Sequence, residues 1–330
     1  MKKTTFVLWA FSVMTIAACA QKNNQVQETP EEATDTASVV YFTKEITPES
    51  LVAIYEKLGV PAHGRVAVKI STGELGGHNY LKPTLIRNLV EKVDGDIVEC
   101  CTAYGGSRQD KKKHWATIHE HGFDSIFRVV IMDEKGEFEI PVRDTTWIKS
   151  DIVGERLKDY NFMINLAHFK GHLMGGFGGV LKNQSIGVAS TAGKANIHSH
   201  GVTTDAQKCW QHTQPQDAFL ESMAAAADGV EQYMGKGNII YINVMNNISI
   251  DCDCDAHPAA PEVQDIGILA STDPVALDKA CLDKVYGIQP DENNNPTPLI
   301  KRIEKQHGGH IIDHAEKIGM GQKAYRLVEF

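Results

Sequence analysis

The chain lacks the signatures of several common enzyme classes. No G-x-S-x-G elbow and no Rossmann glycine fingerprint is present. The histidines at 114, 119 and 121 share one helical stretch, but their spacing is not the H-E-x-x-H of zinc proteases. The glycine-rich loop from Gly73 to Lys82 ends in Lys82-Pro83, without the Ser or Thr that follows a P-loop lysine. Positive charge is also lacking. A formal net charge of −9 argues against nucleic acid as a partner, which needs a basic footprint. Internal repeats are absent, and so is an apolar run long enough to span a membrane. The seven cysteines include one adjacent pair and one C-x-C pair, which does not resemble a small disulfide framework.

What is present begins with a sorting signal. Lys2-Lys3 precedes the apolar run from Phe6 to Ala18, and Ile16-Ala17-Ala18-Cys19 resembles a bacterial lipobox. Residues 1–18 are expected to be a lipoprotein signal peptide, with Cys19 lipidated; the alternative is ordinary cleavage beside an incidental cysteine. Residues 19–38 are polar and acidic, as in a flexible tether. The expected location is the cell envelope of a bacterium, with the protein lipid-anchored on the periplasmic side or outer membrane and attached to the membrane through Cys19.

Residues 39–330 show strand and helix periodicities in alternation. Strands are predicted over 65–70, 96–100, 127–132, 138–142, 162–167, 238–243, 265–270 and 325–330. Helices are predicted over 83–93, 111–121, 216–234 and 274–286, with amphipathic segments over 298–307 and 311–318. This pattern predicts an α/β fold with a mostly parallel sheet covered by helices on both faces, as one elaborated domain or two lobes. Ligands in such folds sit beyond the carboxyl ends of the strands.

Four stretches carry candidate chemistry. In the first, Lys82 opens a helix after a glycine-rich loop, suiting a phosphate or carboxylate unless the loop is a plain connection. In the second, Cys100 to Arg108, Arg108 can fork onto a carboxylate, with Ser107 beside it, while the two cysteines read as small buried hydrophobes. In the third, His168-Phe169-Lys170-Gly171-His172 leads into Gly175, Gly176, Gly178 and Gly179, then Lys182 and Asn183, with Ser190, Lys194, His198 and His200 downstream. Glycines admit close backbone approach, histidine moves protons near neutral pH, and lysine supplies charge or a nucleophilic amine. In the fourth, Asp251-Cys252-Asp253-Cys254 offers thiolates and carboxylates to a borderline-soft metal; the alternative is a polar turn with a disulfide or free thiols. If it were a strand, the cysteines would share one face and the aspartates the other. His307, His310 and His314 read as surface histidines near helix ends.

These pieces, in order from Asn79-Tyr80-Leu81-Lys82-Pro83 through Tyr104-Gly105-Gly106-Ser107-Arg108 and the His168 stretch to Asp251-Cys252-Asp253-Cys254 and Ser271-Thr272-Asp273-Pro274, resemble the family catalogued as domain of unknown function 362. Many relatives carry a ferredoxin-type insert after the histidine that corresponds to His198. Here only Cys209 stands in that region, so a [4Fe–4S] insert is absent. A weaker resemblance is to nickel-dependent lactate racemase. His172, the glycine turn with Phe177, Lys182 ten residues on and His198 sixteen further reproduce its spacing. That resemblance implies an acid/base role for His172, a cofactor-holding role for Lys182 and a metal-ligating role for His198. Ser107 departs from the pattern, because the racemase has a second histidine there. A general export signal implies threading unfolded, which suits an ion captured outside better than a bulky preassembled cofactor.

The expected function is therefore an exported, metal-dependent enzyme, an isomerase or oxidoreductase, acting on a small anionic metabolite by acid/base or hydride-type chemistry. The catalytic candidates are His172, Lys182, His198 and Arg108. Substrate binding falls to Lys82, Ser107, His168, Lys170 and Asn183, and the metal ion, of unspecified identity, to Cys252, Cys254, Asp251 and Asp253. The alternative is a non-catalytic lipoprotein that binds a metal or ligand through the same loops.

Overall fold

Sequence and structure agree on the principle of alternation. The computed structural model describes Met1 and residues 36–330, so the expected signal peptide beyond Met1, Cys19 and most of the expected tether lie outside the described residues. The chain from Thr36 onward belongs to one compact unit, with no division into two lobes. It begins with β1 (Ser38–Thr43), α1 (Pro48–Lys57), β2 (Val66–Lys69), α2 (Pro83–Lys92), β3 (Asp96–Glu99), α3 (Lys111–Glu120) and β4 (Val129–Ile131). An antiparallel pair, β5 (Glu137–Pro141) and β6 (Ser150–Gly154), stands apart from the main sheet. Then come β7 (Phe162–His168), the short strands β8 (Lys170–His172) and β9 (Gly176–Gly178), α4 (Val180–Val188), α5 (Thr191–His198) and α6 (Gln216–Met234). The chain ends with β10 (Ile239–Met245), β11 (Gly267–Ser271), α7 (Pro274–Tyr286), α8 (Thr297–Lys305), α9 (His310–Lys317) and β12 (Tyr325–Glu329).

The main sheet has eight strands in the order β12-β1-β11-β10-β7-β2-β3-β4. Its neighbours pair in parallel except on the two sides of β11, which runs against β1 and β10. Burial follows the strand period of two. On β7 and β10, Ile164, Leu166, Ile240, Ile242 and Val244 point into a core shared with α1, α2 and α3. Met163, Ala167, Ile239, Tyr241 and Met245 point the other way, into a core shared with α4, α6, α7 and α9. Both faces of the sheet are thus covered, which is why its central strands are buried end to end.

Two elements near the start show local signals that hydrophobic periodicity alone does not bring out. Thr47 caps α1 by accepting from the Ser50 amide, with Ser50 bonding back in a capping box and Pro48 in the first turn. β1 begins at Ser38, inside the expected tether, and Ser38 Oγ donates to Asp273 at 2.8 Å.

One buried carboxylate fixes the helix that enters the site. The α4 N-terminus has no cap from its own chain segment. Instead Asp278, on α7, accepts from the Val180 and Leu181 amides at 2.9 and 3.0 Å and from Asn243 Nδ2 at 2.8 Å. A Cβ on Gly179 would lie 2.2 Å from Asp278 Oδ1, so glycine is required for this approach. Burial pushes the Asp278 carboxyl up to about 6, against the pull of these donors. Asp278→Ala leaves two buried amides without an acceptor. It should destabilise the protein by about 1–3 kcal/mol per orphaned group, measured by urea unfolding.

Candidate functional site

Parallel strands end at one rim of the sheet, so the segments after β2, β3, β7 and β10 meet there. The segment after β7 is a tight hairpin in which β8 and β9 pair Lys170 with Gly178 and His172 with Gly176. Phe169 and Phe177 stack beneath it, ring centres 5.6 Å apart. The hairpin lies flat on the segment after β10. The Gly171 amide donates to Ser249 O at 2.8 Å, and a Cβ on Gly171 would fall 2.0 Å from Ile250 O. Any side chain at 171 would lift the hairpin off the cysteine loop.

Between these segments lies a cavity of about 450 Å³. His172 enters it from the hairpin, Lys182 from α4 and His198 from the last turn of α5. Cys252 and Cys254 enter from the loop after β10, and Arg108 from the segment after β3. The three residues of the expected His–Lys–His spacing therefore line one space.

The two histidines are held in opposite tautomers. Backbone N–H groups of Gly175 and Met174 donate to His172 Nδ1 at 2.8 and 3.3 Å, so a neutral ring carries its proton on Nε2. His198 Nδ1 faces the Lys194 carbonyl at 2.7 Å, which only accepts, so Nδ1 carries the proton and Nε2 is bare. The His198 ring is fixed by stacking on Phe219, with centroids 5.0 Å apart. Burial, reinforced by Lys182 and His198, holds His172 well below the usual imidazole range. Burial pushes His198 down to about 4. Near neutral pH one ring thus presents a donor and the other an acceptor.

The cysteine loop forms a turn rather than a strand. It nevertheless puts both sulfurs in the cavity and turns Asp253 away from it. The Cys254 amide donates to Cys252 Sγ at 3.3 Å, and Lys182 Nζ lies 3.9 Å from the same sulfur. The Cys254 thiol's hydrogen bond lowers the Cys252 thiol against burial, with Lys182 and Lys170 adding to it, and the same bond raises Cys254. Ligand atoms of His172, Cys252 and Cys254 lie within 4.8 Å of one another. Both cysteines are free thiols here.

Several expected ligands have other work. Asp253 is buried, with Oδ1 2.8 Å from His168 Nδ1 and Oδ2 2.8 Å from Lys170 Nζ. Burial would raise its carboxyl, but His168 and Lys170 hold it far below the usual range. It anchors the loop rather than offering a free oxygen to a metal. His168 uses its other nitrogen on Asn246 O at 2.6 Å. Arg108 reaches the cavity wall, but its guanidinium already meets Glu74 at 3.2 Å and Glu99 at 2.5 Å. It therefore sets the shape of the wall more than it grips an anion. Asn183 spends its amide on Lys69 and Asn165. Ser107 Oγ accepts from the Leu75 amide at 2.9 Å, away from the cavity. Lys82 is exposed, its ammonium 3.7 Å from the Tyr80 ring centre, and is not part of the wall. Asp251 stays at the cavity edge, 3.6 Å from Arg302.

The structure adds groups that sequence patterning passes over. Lys69, fully buried on β2, lines the floor, and burial pushes its ammonium down to about 7 against the pull of Glu99. A lysine inside an otherwise apolar strand was the available signal. Lys194, already singled out downstream of Lys182 in the sequence, joins it from α5, and Trp210, which the patterning passed over, lies on the wall with its ring centroid 5.0 Å from that of His198. Lys69, Lys170, Lys182 and Lys194 give the wall a positive bias.

Burying His198 in its neutral form links stability to pH. Below about pH 6.5 the unfolded chain takes up a proton on this ring. The folded chain refuses that proton until about pH 4, so stability falls as pH falls through this window. His198→Gln should flatten the dependence of unfolding free energy on pH between these values, by on the order of 3 kcal/mol, in denaturant titrations at each pH.

Among curated proteins none matches the chain. The lactate racemase apoprotein from Thermoanaerobacterium thermosaccharolyticum is similar in structure at 11% identity, with a TM-score of 0.38, over 63% of this chain and 50% of that one. A protein of known crystal structure from Thermotoga maritima is similar at 11% identity, with a TM-score of 0.43, over 82% of this chain and 58% of that one. The chain therefore spans about half to three fifths of the length of these neighbours, and neither likeness bears on its chemistry. Over residues 66–283 it matches the family described as Domain of unknown function (DUF362), and it belongs to that family.

Proposed function

We propose that the cavity is the active site of an enzyme that moves a proton on a small anionic metabolite, such as a hydroxy acid. The observation that carries this reading is the opposed tautomers of His172 and His198, which line one cavity. Bare Nε2 of His198 is the general base, and Nε2–H of His172 is the donor that stabilises or protonates the developing anion. Lys182 and Lys194 attract the substrate's negative charge, and Lys69, lowered to about 7, can give or take a proton near neutrality. The His172, Lys182 and His198 spacing shared with lactate racemase supports the reading, while Ser107 in place of a second histidine opposes a symmetric racemisation.

A metal ion is part of the proposal. The donor set fits a borderline-soft divalent ion: a thiol already lowered at Cys252, with Cys254 beside it and an imidazole at hand. His172 lies with these sulfurs, but its Nδ1 is spent on two amides, and the bare nitrogen of His198 is kept for the base, so the two sulfurs are the donors that the protein offers the ion. Such an ion would supply Lewis-acid polarisation of a substrate oxygen. We place the enzyme in the bacterial cell envelope, attached through a lipid on Cys19, on the strength of the lipobox-like segment.

The test is exchange of carbon-bound hydrogen with D2O, followed by NMR, for a panel of small 2-hydroxy and 2-oxo acids. Wild type should exchange at least one of them. His198→Gln and His172→Gln should each slow it by about 10²–10⁴-fold. Saturable binding of these acids without exchange would replace the enzyme with a ligand-binding protein.

A further inference from the structure

A second cluster of metal-capable side chains lies on α6 and α9, built from residues unrelated to the cavity. His310 and His314 stand four apart on α9 and so share a face. Glu221, on α6, faces both, and ligand atoms of the three residues lie within 4.8 Å of one another. Glu221 Oε1 is 2.9 Å from His310 Nε2 and 3.5 Å from His314 Nδ1. A tetrahedral site with bonds of about 2.0–2.1 Å has ligand-to-ligand edges of about 3.3 Å, between these two values.

The supports around the cluster are those of a ligand set. Trp147 Nε1 donates to Glu221 Oε2 at 2.7 Å, turning the other oxygen toward the histidines. Asp144 Oδ2 lies 2.7 Å from His314 Nε2, while Thr146 fixes Asp144 Oδ1 at 2.6 Å. A carboxylate behind the far nitrogen of a histidine is the usual arrangement that orients a metal-binding ring. His314 is 4% exposed, against its expected place at the surface, and its Nδ1 makes no hydrogen bond among the described residues. A buried nitrogen aimed at a carboxylate and a second imidazole, without a bond of its own, is a costly arrangement unless something fills the gap.

We propose that His310, His314 and Glu221 bind a divalent cation of the zinc class, with Asp144 as the positioning residue behind His314. A sulfur-free set of two imidazoles and one carboxylate selects Zn2+, Co2+ or Ni2+ over soft ions. His310, 32% exposed on its side chain, leaves an approach for the ion and for a water as fourth ligand. The site joins α9 to α6 and to the segment after β5, so the ion acts as a clamp on the C-terminal helices.

The experiment uses the full mature chain carrying Cys252→Ser and Cys254→Ser, so that thiolate binding in the cavity does not contribute. Co2+ titrated into this protein should give a visible d–d spectrum saturating at one equivalent, without a thiolate charge-transfer band. His310→Ala and Glu221→Gln should each abolish that spectrum, and Asp144→Asn should weaken binding by about 10–100-fold. Zn2+ should raise the thermal midpoint of the parent and not of His310→Ala. Circular dichroism without metal establishes that the variants are folded, and Glu221→Gln serves if His310→Ala is not. The absence of one-equivalent saturable binding, or binding unchanged in both His310→Ala and Glu221→Gln, overturns the proposal and leaves the cluster as hydrogen bonds that tie α9 to α6.

Discussion

The carboxylate of Asp253, gripped between His168 and Lys170, is the interaction on which the cavity depends. His168 ends the central strand β7, Lys170 begins the hairpin and Asp253 sits in the middle of the cysteine loop. One buried anion therefore joins the strand and hairpin to a loop more than eighty residues further along the chain. Breaking one partner of such a buried group leaves an uncompensated charge, which is why the trio holds so firmly. Cys252 and Cys254 flank the anchor, so their position in the cavity follows from it.

Around this anchor the polar groups divide into those that are matched and those left over. Arg108 is paired twice, by Glu74 and Glu99, and the Glu99 carboxyl stays well below its usual range: burial would raise it, but Arg108 and then His114 outweigh burial. Lys170 is paired with Asp253. Lys182 has a sulfur as its near neighbour, and Lys69 donates to the neutral acceptors Ile70 O and Asn183 Oδ1 while burial loosens its proton. The groups paired with an opposite charge build the wall, and these two lysines, with neutral or sulfur partners, face the ligand space. His172 and His198 are treated alike, with one nitrogen tied to backbone and the other turned to the cavity.

This division explains what the sequence made legible. Alternating periodicities were enough for the sheet apart from β1, and for helices such as Gln216–Met234, because burial on two faces leaves a strong pattern. The spacing of His172, Lys182 and His198 also survived, since a hairpin and two consecutive helices carry all three. The free or occupied state of a side chain could not be read in that way. Ser107, Lys82 and Asn183 are the right residue types near the right loops, yet their atoms are committed to Leu75, the Tyr80 face and Lys69. His314 went the other way: it looked ordinary in its segment, and only long-range packing made it unusual, whereas Lys69 stood out in an apolar strand but showed its place in the cavity only through packing. Local pattern encodes the frame, whereas partnership is decided by contacts between distant segments.

The direction of β1 has a consequence for how the molecule meets its surroundings. β1 runs in the same sense as β2, β7 and β10, because β11 reverses twice between neighbours. Ser38 therefore stands at the base of the sheet, and the cavity opens at the crest. A surface that meets the sheet at its base therefore leaves the mouth of the cavity uncovered.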